Sequence, residues 1–309
     1  NYAVIRLLIT YKESSIMRVG FIGLGRMGHG MAKRILDAGH DLSIYDKNPM
    51  ALRELGSDGA SVASSISEVV ANREVVISML PTDQTLDELV FGAGGLLESM
   101  PEGSIHMPSG THSVEIIRRL TNAHKNANQI LVAGHVLGRP DLASEGQLTI
   151  VPGGPADALK TLQPIFDLLA KKTFIAGDIP EASTAVKIAN NFVLGSAIEV
   201  IGESMALIKK FGVDPQLFQE ILTEGLFGSP AYRIYGQIIV DESYDQVGAS
   251  VQIGLKDANL ALAAGEAVNV PLPCANVWRD RLLSARAHGN EDLDWAVMAR
   301  EQARASGIE

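Results

Sequence analysis

The sequence predicts an α/β fold in which a doubly wound parallel sheet is followed by an all-α C-terminal domain. Strand-like and helix-like segments alternate through the first half of the chain, and the strands are continuously apolar. Such strands are typical of a parallel sheet that is covered on both faces. Three closely spaced glycines follow the first strand, and nearly all of the chain after Pro180 has a helical pattern.

The 309 residues are enough for two domains, with a predicted boundary near residue 179. We expect the first domain to span 17–179 and the helical domain 180–309. Residues 1–16 are expected to be an extension ahead of a start at Met17, because their apolar run is short and interrupted by Arg6. The predicted strands are 18–23, 41–46, 74–80, 104–107, 130–136, 148–154 and 173–177.

Charge and cysteine content argue against several classes of function. The formal net charge of −10 is unlike that of a nucleic-acid-binding protein, which presents a basic face to phosphates. Cys274 is the single cysteine, so the chain forms no internal disulfide and no thiolate-based metal site. We therefore expect a cytoplasmic protein with a small-molecule substrate, no metal and no nucleic-acid partner. No stretch is expected to cross a membrane.

The glycines occur in "VGFIGLGRMGHGM" (19–31), with the spacing Gly23-x-Gly25-x-x-Gly28 between a strand and a helix. Gly23 permits a sharp turn, Gly25 permits close approach of a pyrophosphate, and Gly28 permits close packing of helix on strand. A phosphate then lies at the helix N-terminus. A tight turn without a ligand is the weaker alternative. The loop predicts a Rossmann-type dinucleotide-binding domain, with cofactor contacts at Gly23, Leu24, Gly25, Arg26, Met27 and Gly28.

Asp46 ends the second strand, about 20 residues beyond the glycines. A carboxylate there accepts hydrogen bonds from both ribose hydroxyls and repels a 2′-phosphate, so NAD is favoured over NADP. Lys47 and Asn48 follow directly and would offset part of the repulsion. The alternative is that Asp46 only caps a turn.

A helix without internal proline is predicted over 181–210, and it is apolar nearly all round. Such a helix packs against both domains or against a second subunit, so we expect a homodimer or homotetramer. Lys187 and Asn191 are four residues apart and share one face. A partly desolvated lysine has a lowered pKa that suits acid–base catalysis. The alternative is a lysine that reaches solvent at the helix surface.

Several motifs, in order, resemble the β-hydroxyacid dehydrogenase family, which includes 3-hydroxyisobutyrate dehydrogenases and tartronate semialdehyde reductases. They are the glycine segment, "SMLP" (78–81), "AVKIANNF" (185–192) and "LKDANLAL" (255–262). The resemblance extends from Met17 to the C-terminal helix. It implies a Rossmann domain followed by a helical domain for substrate binding and oligomerisation, and NAD or NADP as cofactor.

The resemblance also implies roles for individual residues. Lys187 matches the family's catalytic acid/base, and Asn191 matches its substrate-binding asparagine. Lys256 matches a lysine in the cleft near cofactor and substrate, and Asp257 would brace the site. Further cofactor contacts are implied for Leu80, Pro81, Ser109 and Lys256.

Two segments depart from the family pattern. In "HMPSGTHS" (106–113), Pro108 stands where the family has serine, and Ser109 aligns with a threonine beside the nicotinamide ribose. Where the family has a serine–glycine–glycine turn for the substrate carboxylate, this chain has Leu137, Gly138 and Arg139. Arg139 is expected either to grip a carboxylate, to point to solvent, or to brace the loop. All three remain candidate substrate-site residues.

Other candidates have weaker support. His106, His112 and His135 lie near predicted strand ends, but their spacing matches no metal motif, and structural or pocket-lining roles are expected. The segment 227–236 is expected to pack under a helix junction, with an aromatic wall of the site as the alternative.

The leading hypothesis is an NAD(P)-dependent oxidoreductase acting on a small β-hydroxy acid or its semialdehyde. The alternatives are an imine or uncharged-carbonyl reductase of the same fold and a non-catalytic dinucleotide-binding module.

Overall fold

The structure is a computed structural model that describes residues 16–308. The predicted extension, apart from Ile16, lies outside the described residues. The first sheet has six parallel strands in the order β3-β2-β1-β4-β5-β6, which confirms the predicted doubly wound sheet. Its strands are β1 (Arg18–Ile22), β2 (Asp41–Tyr45), β3 (Ser61–Val62), β4 (Val75–Ser78), β5 (Ile105–Pro108) and β6 (Ile130–Leu131).

Helices cover both faces of this sheet, and several begin at side chains that accept a hydrogen bond from the first turn. Asn48, Ser65, Thr82 and Ser113 are the residues that cap their helices in this way. The helices are α1 (Arg26–Asp37), α2 (Pro49–Ser57), α3 (Ile66–Val70), α4 (Asp83–Phe91), α5 (Leu96–Ser99) and α6 (Val114–Asn126).

The last two predicted strands and most of the strand predicted at 130–136 do not belong to the first sheet. The chain leaves it after β6 and forms a second, three-stranded sheet from β7 (Ala133–Leu137), β8 (Leu148–Gly153) and β9 (Ala170–Thr173). β7 and β8 are antiparallel, and β8 and β9 are parallel. Between these strands lie α7 (Pro140–Glu145) and α8 (Ala156–Leu169).

Two strand predictions are therefore wrong in detail. The segment 130–136 is divided between two sheets, because one apolar run does not show where its strand partners change. The strand predicted at 173–177 begins earlier than expected, since β9 is Ala170–Thr173 and includes the exposed, polar Lys171 and Lys172 that are typical of a sheet edge. Backbone hydrogen bonds to β8 continue beyond it from Phe174 and Ala176, and a bridge joins Gly153 to Gly177.

The remainder of the chain is helical, as the sequence predicts. Its first helix begins at Pro180, which fits the first position of a helix because proline has no amide hydrogen to satisfy. A 3₁₀ turn at Trp295–Val297 precedes the last helix. The helices are α9 (Pro180–Lys210), α10 (Pro215–Glu224), α11 (Pro230–Asp241), α12 (Val251–Ala267), α13 (Pro273–Ala287) and α14 (Met298–Ala305).

Helix α9 is less uniformly buried in the single chain than its composition suggests. Ile188, Ile198, Ile201 and Met205 belong to the core of the helical region. Four other apolar side chains recur every seven residues and are 43–63% exposed, so a stripe of α9 is open to solvent. This stripe is Val186, Val193, Val200 and Leu207. The expectation of a homodimer or homotetramer stays a prediction.

The expectation that no stretch is long and apolar enough to cross a membrane is wrong, because α9 meets both criteria. An 18-residue window of α9 has a mean hydropathy of 1.4, and the helix is long enough to span a bilayer. Core helices pass the same test, and 39% of this window is buried inside the protein. α9 also carries buried Asn191 and Glu199.

The glycine loop joins β1 to α1 through close backbone contacts. Gly23 has a φ of +93°, which favours glycine. A Cβ on Gly28 would lie 2.0 Å from the Gly23 carbonyl oxygen, whereas a Cβ on Gly25 would meet nothing within 4 Å. Gly28 is therefore required by packing, and Gly25 faces open space.

We predict that Gly28→Ala destabilises the protein by about 1–3 kcal/mol or more, because the methyl group overlaps a backbone carbonyl. Gly25→Ala is the matched control. It should change the free energy of unfolding by less than about 1 kcal/mol, the usual scale for a helix N-cap. Thermal unfolding of both variants checks this, and equal losses would contradict the packing argument.

Candidate active site

A cavity of about 680 Å³ lies between the carboxyl ends of the first sheet and the helical region. Its size is within the range of small-molecule sites. At one end it is lined by Gly23, Gly25, Arg26, Met27 and Gly28 of the glycine loop. At the other it is lined by Lys187 and Asn191 of α9. The cavity thus joins the two groups of residues that the sequence singles out.

The N-terminus of α1 opens into this cavity without a side-chain cap. Gly25 is the N-cap residue, and it has no side chain to accept a hydrogen bond from the first-turn amides. Free amides at a helix N-terminus bind phosphate oxygens, and the helix dipole favours their charge. The open space beside Gly25 leaves room for a pyrophosphate.

Asp46 lies at the end of β2, and both of its carboxylate oxygens accept backbone hydrogen bonds. Leu24 N donates to Oδ2 at 2.7 Å, and Asn48 N donates to Oδ1 at 2.7 Å. Leu24 itself does not line the cavity and takes part through its backbone. Lys47 is 81% exposed and lies 3.6 Å from Glu88, so another carboxylate partly neutralises it.

The loops after β4 and β5 form the middle of the cavity, where Leu80, Pro81, Ser109 and Thr111 are lining residues. The Ser109 hydroxyl is buried and has no hydrogen-bond partner among the described residues. A buried hydroxyl without a partner costs free energy, so a ligand oxygen or water is expected beside it. Together with Gly25 and Asp46, it makes the cavity fit for a dinucleotide.

Lys187 is partly buried at the inner end of the cavity. Its ammonium Nζ donates to the carbonyl oxygen of Val136 at 2.9 Å. Burial lowers the pKa of Lys187 to about 8, which the Asp257 charge opposes and the Lys256 charge reinforces. A lysine with this pKa both releases and accepts a proton near neutral pH.

Asn191 lies one turn further along α9. Its amide Nδ2 donates to Asp257 Oδ2 on α12 at 2.7 Å. This bond fixes the orientation of the amide and leaves one N–H directed away from the carboxylate. Asn190, by contrast, is exposed and does not line the cavity.

Lys256 connects the helical region to the first domain. Its Nζ donates to the carbonyl oxygens of Pro81 at 3.2 Å and Thr111 at 3.0 Å, and lies 3.5 Å from Asp257 Oδ1. Lys256 does not line the cavity. Instead, it joins the loops after β4 and β5, whose residues Pro81 and Thr111 do line the cavity.

The segment that departs from the family pattern is only partly at the cavity. Gly138, with a φ of +145°, and Arg139 line it, but Leu137 does not. Leu137 is the last residue of β7 and pairs with Thr149. The structure therefore does not bring its side chain to the site.

Arg139 follows at the start of α7, with its Nε 3.8 Å from Asp141 Oδ1 and its side chain 37% exposed. Its Nη1 atom is buried and has no hydrogen-bond partner among the described residues. The guanidinium of Arg139 therefore has an unused donor nitrogen at the cavity wall, beside Gly248.

Sequence reasoning missed part of the wall. Tyr235 and Trp295 line the cavity, with their ring centroids 6.0 Å apart in an edge-on arrangement. Tyr235 falls within the segment 227–236, for which packing was preferred over an aromatic wall. No local pattern distinguishes Trp295 from a core tryptophan.

The three histidines lie behind the site and do not line it. His106 contacts Ser78 and His124, His112 contacts Asp83, and His135 contacts Thr184. Burial lowers the pKa of each histidine, and for His112 the contact with Asp83 opposes this effect. Within residues 16–308, no group of three His, Cys, Asp or Glu side chains is arranged to hold a metal.

Comparisons with known proteins agree with this arrangement. Residues 18–177 match the family model of the NAD binding domain of 6-phosphogluconate dehydrogenase. Residues 182–301 match the model described as NAD-binding of NADP-dependent 3-hydroxyisobutyrate dehydrogenase. These two models cover most of the described chain.

Similar proteins are found over nearly the whole length. The chain is 37% identical to the uncharacterized oxidoreductase YfjR of Bacillus subtilis, covering 92% of this chain and 99% of that one. It is 32% identical to 3-hydroxyisobutyrate dehydrogenase of Pseudomonas aeruginosa, covering 91% and 97%. A solved 3-hydroxyisobutyrate dehydrogenase of Salmonella typhimurium superposes with a TM-score of 0.82 at 27% identity, covering 92% and 99%. The chain therefore belongs to the β-hydroxyacid dehydrogenase family, and it is an oxidoreductase with a nicotinamide dinucleotide cofactor.

Proposed function

We propose that the protein transfers a hydride between a nicotinamide dinucleotide and a small β-hydroxy acid or its semialdehyde, with Lys187 as general acid/base. The observation that supports this most directly is the partly desolvated Lys187 amine at the inner end of the cavity. The names of the relatives are consistent with this substrate class.

When bound, the nicotinamide supplies the hydride acceptor or donor. During alcohol oxidation, the neutral Lys187 amine takes the hydroxyl proton at Nζ, while the Val136 carbonyl oxygen fixes the position of that nitrogen. During reduction, the protonated amine returns the proton to the carbonyl oxygen. Asn191, oriented by Asp257, donates its free N–H to a substrate oxygen.

We predict opposite pH dependences for the two directions, because the Lys187 pKa is about 8. Oxidation needs the neutral amine, so kcat/KM should rise with pH and level off above about 8. Reduction needs the ammonium form and should fall above the same pH. Lys187→Ala should lower turnover by roughly 10²–10⁴-fold and remove both inflections.

Lys210→Ala is the matched control, since Lys210 lies on the same helix about 34 Å away at 1.5 Å per residue. It should keep both pH profiles. Near-native turnover of Lys187→Ala, with its inflections intact, would exclude Lys187 as the acid/base.

We further propose that NAD is the preferred cofactor. Asp46 lines the cavity, and its backbone hydrogen bonds with Leu24 and Asn48 fix the carboxylate in place. A fixed carboxylate accepts hydrogen bonds from ribose hydroxyls and repels a 2′-phosphate.

The wild-type protein should therefore show a higher kcat/KM with NADH than with NADPH. Asp46→Asn keeps an acceptor oxygen but removes the charge, so it should narrow this preference by roughly tenfold, equivalent to about 1.4 kcal/mol. A wild-type preference for NADPH, measured by steady-state kinetics, would contradict the proposal.

Arg139 is proposed to bind the substrate carboxylate. Its buried Nη1 has no hydrogen-bond partner among the described residues, and its Nε lies 3.8 Å from Asp141 Oδ1, which is beyond hydrogen-bond distance. A hydrogen bond to a charged group contributes about 1.5–3 kcal/mol.

We predict that Arg139→Ala raises KM for a carboxylate substrate roughly ten- to hundredfold, since each 1.4 kcal/mol is a factor of about ten. Arg139→Lys should restore only part of the loss, because a point charge does not reproduce the planar fork. An aldehyde of similar size without a carboxylate serves as the internal control and should be unaffected. Unchanged carboxylate kinetics would show that Arg139 does not bind the substrate.

A further inference from the structure

An irregular segment between α11 and α12, which we call the strap (residues 247–249), forms part of the cavity wall. Gly248 and Ala249 line the cavity. Both backbone amides donate to Asp294 Oδ2, at 2.8 Å from Gly248 and 3.2 Å from Ala249. Asp294 is fully buried, so it anchors the strap to the helical region.

The other anchor of the strap comes from the dinucleotide loop. Arg26, the first residue of α1, donates from Nη1 to the Val247 carbonyl oxygen at 2.8 Å and from Nη2 to the Gly248 carbonyl oxygen at 3.3 Å. Within the described chain, these two carbonyls receive no other hydrogen bond. Arg26 therefore joins two regions that are more than 200 residues apart in sequence.

The strap also lies directly against Arg139. A Cβ on Gly248 would be 2.7 Å from Arg139 Nη1, so a side chain at this position would collide with the guanidinium where it now lies. The same Cβ would be 3.4 Å from Asp294 Oδ2. Arg139 and Asp294 thus lie on two sides of Gly248, and the Arg139 charge opposes the rise that burial gives to the Asp294 pKa.

We propose that Arg26 is a positioning residue of the substrate site rather than only a dinucleotide contact. By holding the strap toward the glycine loop, it keeps Gly248 against Nη1 of Arg139, and this contact fixes the position of the guanidinium at the cavity wall. Without Arg26, the strap keeps its bonds to Asp294 and the hydrogen bond from Trp295 N to the Ala249 carbonyl oxygen, all of which tie it to the helical region. The carbonyl oxygens of Val247 and Gly248 are then no longer held toward the glycine loop, so Arg139 loses its support. This inference rests on the proposed carboxylate-binding function.

The first test compares Arg26→Ala, Arg26→Lys and the control Arg53→Ala, an exposed arginine of α2 that does not line the cavity. Arg26→Ala should raise KM for the carboxylate substrate about tenfold, while the dissociation constant for NADH stays within about threefold of wild type. Arg26→Lys should restore only part of the loss, because one ammonium does not reproduce the two-carbonyl fork. Weaker NADH binding with an unchanged substrate KM would overturn the proposal.

The second test is a double-mutant cycle between Arg26→Ala and Arg139→Ala. If Arg26 acts through Arg139, the double variant should be no worse than Arg139→Ala alone. Fully additive losses in kcat/KM would overturn the proposal. Gly248→Ala should also raise KM for the carboxylate substrate, since its methyl group displaces Nη1 without removing any charge.

A third measurement is independent of turnover. Hydrogen exchange of the Gly248 and Ala249 amides should be faster in Arg26→Ala than in wild type and unchanged in Arg53→Ala. If no hydroxy acid or semialdehyde is turned over, the proposed function fails, while faster exchange still supports the role of Arg26 in holding the strap. If turnover occurs and exchange is unchanged, the strap proposal fails alone.

Discussion

The position of helix α9 on the second sheet is the constraint on which the site depends. Three polar residues in its first two turns bond to that sheet. The Ser183 hydroxyl donates to the Val151 carbonyl oxygen, Thr184 lies 2.9 Å from His135 Nε2, and Lys187 donates to the Val136 carbonyl oxygen. Because these bonds fix the helix in rotation and along its axis, they also fix where the Lys187 amine meets the cavity.

The same helix is held from the other side by close packing at two glycines, seven residues apart. A Cβ on Gly195 would lie 2.8 Å from the Trp278 ring, and one on Gly202 would lie 2.9 Å from Ala299. Later helices therefore approach the backbone of α9 closely, and α12 brings Asp257 within hydrogen-bonding distance of Asn191. The face of α9 that carries Lys187 and Asn191 is thus fixed by the second sheet on one side and by the later helices on the other.

The sequence predicted those features whose causes are local. The spacing of Gly23, Gly25 and Gly28 identified the dinucleotide loop. The sharp turn, the close approach of a pyrophosphate and the packing of helix on strand all depend on residues within one strand–helix connection. The fold class followed from the alternation of strand-like and helix-like segments in the first half of the chain and the helical pattern in the second. The second sheet was missed because β6 and β7 form one apolar run, and nothing in that run shows that its strand partners change.

The surroundings of Arg139 could not be predicted for a different reason. The residues that decide its role, Gly248 and Asp294, lie more than 100 positions away and carry no motif of their own. The sequence kept Leu137 as a candidate substrate-site residue, but alternation along β7 turns its side chain away from the cavity. Only the folded structure distinguishes Gly138 and Arg139, which line the cavity, from the adjacent Leu137, which does not.

The charges around the cavity bear on the choice between an anionic substrate and an imine. The two buried carboxylates differ in how fully their oxygens are bonded. Asp294 accepts from the amides of Gly248, Ala249 and Ala296. Asp257 accepts from Asn191 at Oδ2, whereas its Oδ1 has no hydrogen-bond partner in the described chain and lies 3.5 Å from Lys256 Nζ. The two cations have unused hydrogen-bond donors. In the described chain Arg139 Nη1 has no acceptor, and the Lys187 ammonium donates to the Val136 carbonyl oxygen. An iminium ion would meet the cations Lys187 and Arg139, and the carboxylate of Asp257 is already shared with Lys256 and Asn191, whereas a substrate carboxylate would complete the open donor of Arg139. The distribution of satisfied and unsatisfied groups therefore favours a hydroxy acid over an imine, and it does so through a residue at which this chain differs from the family pattern.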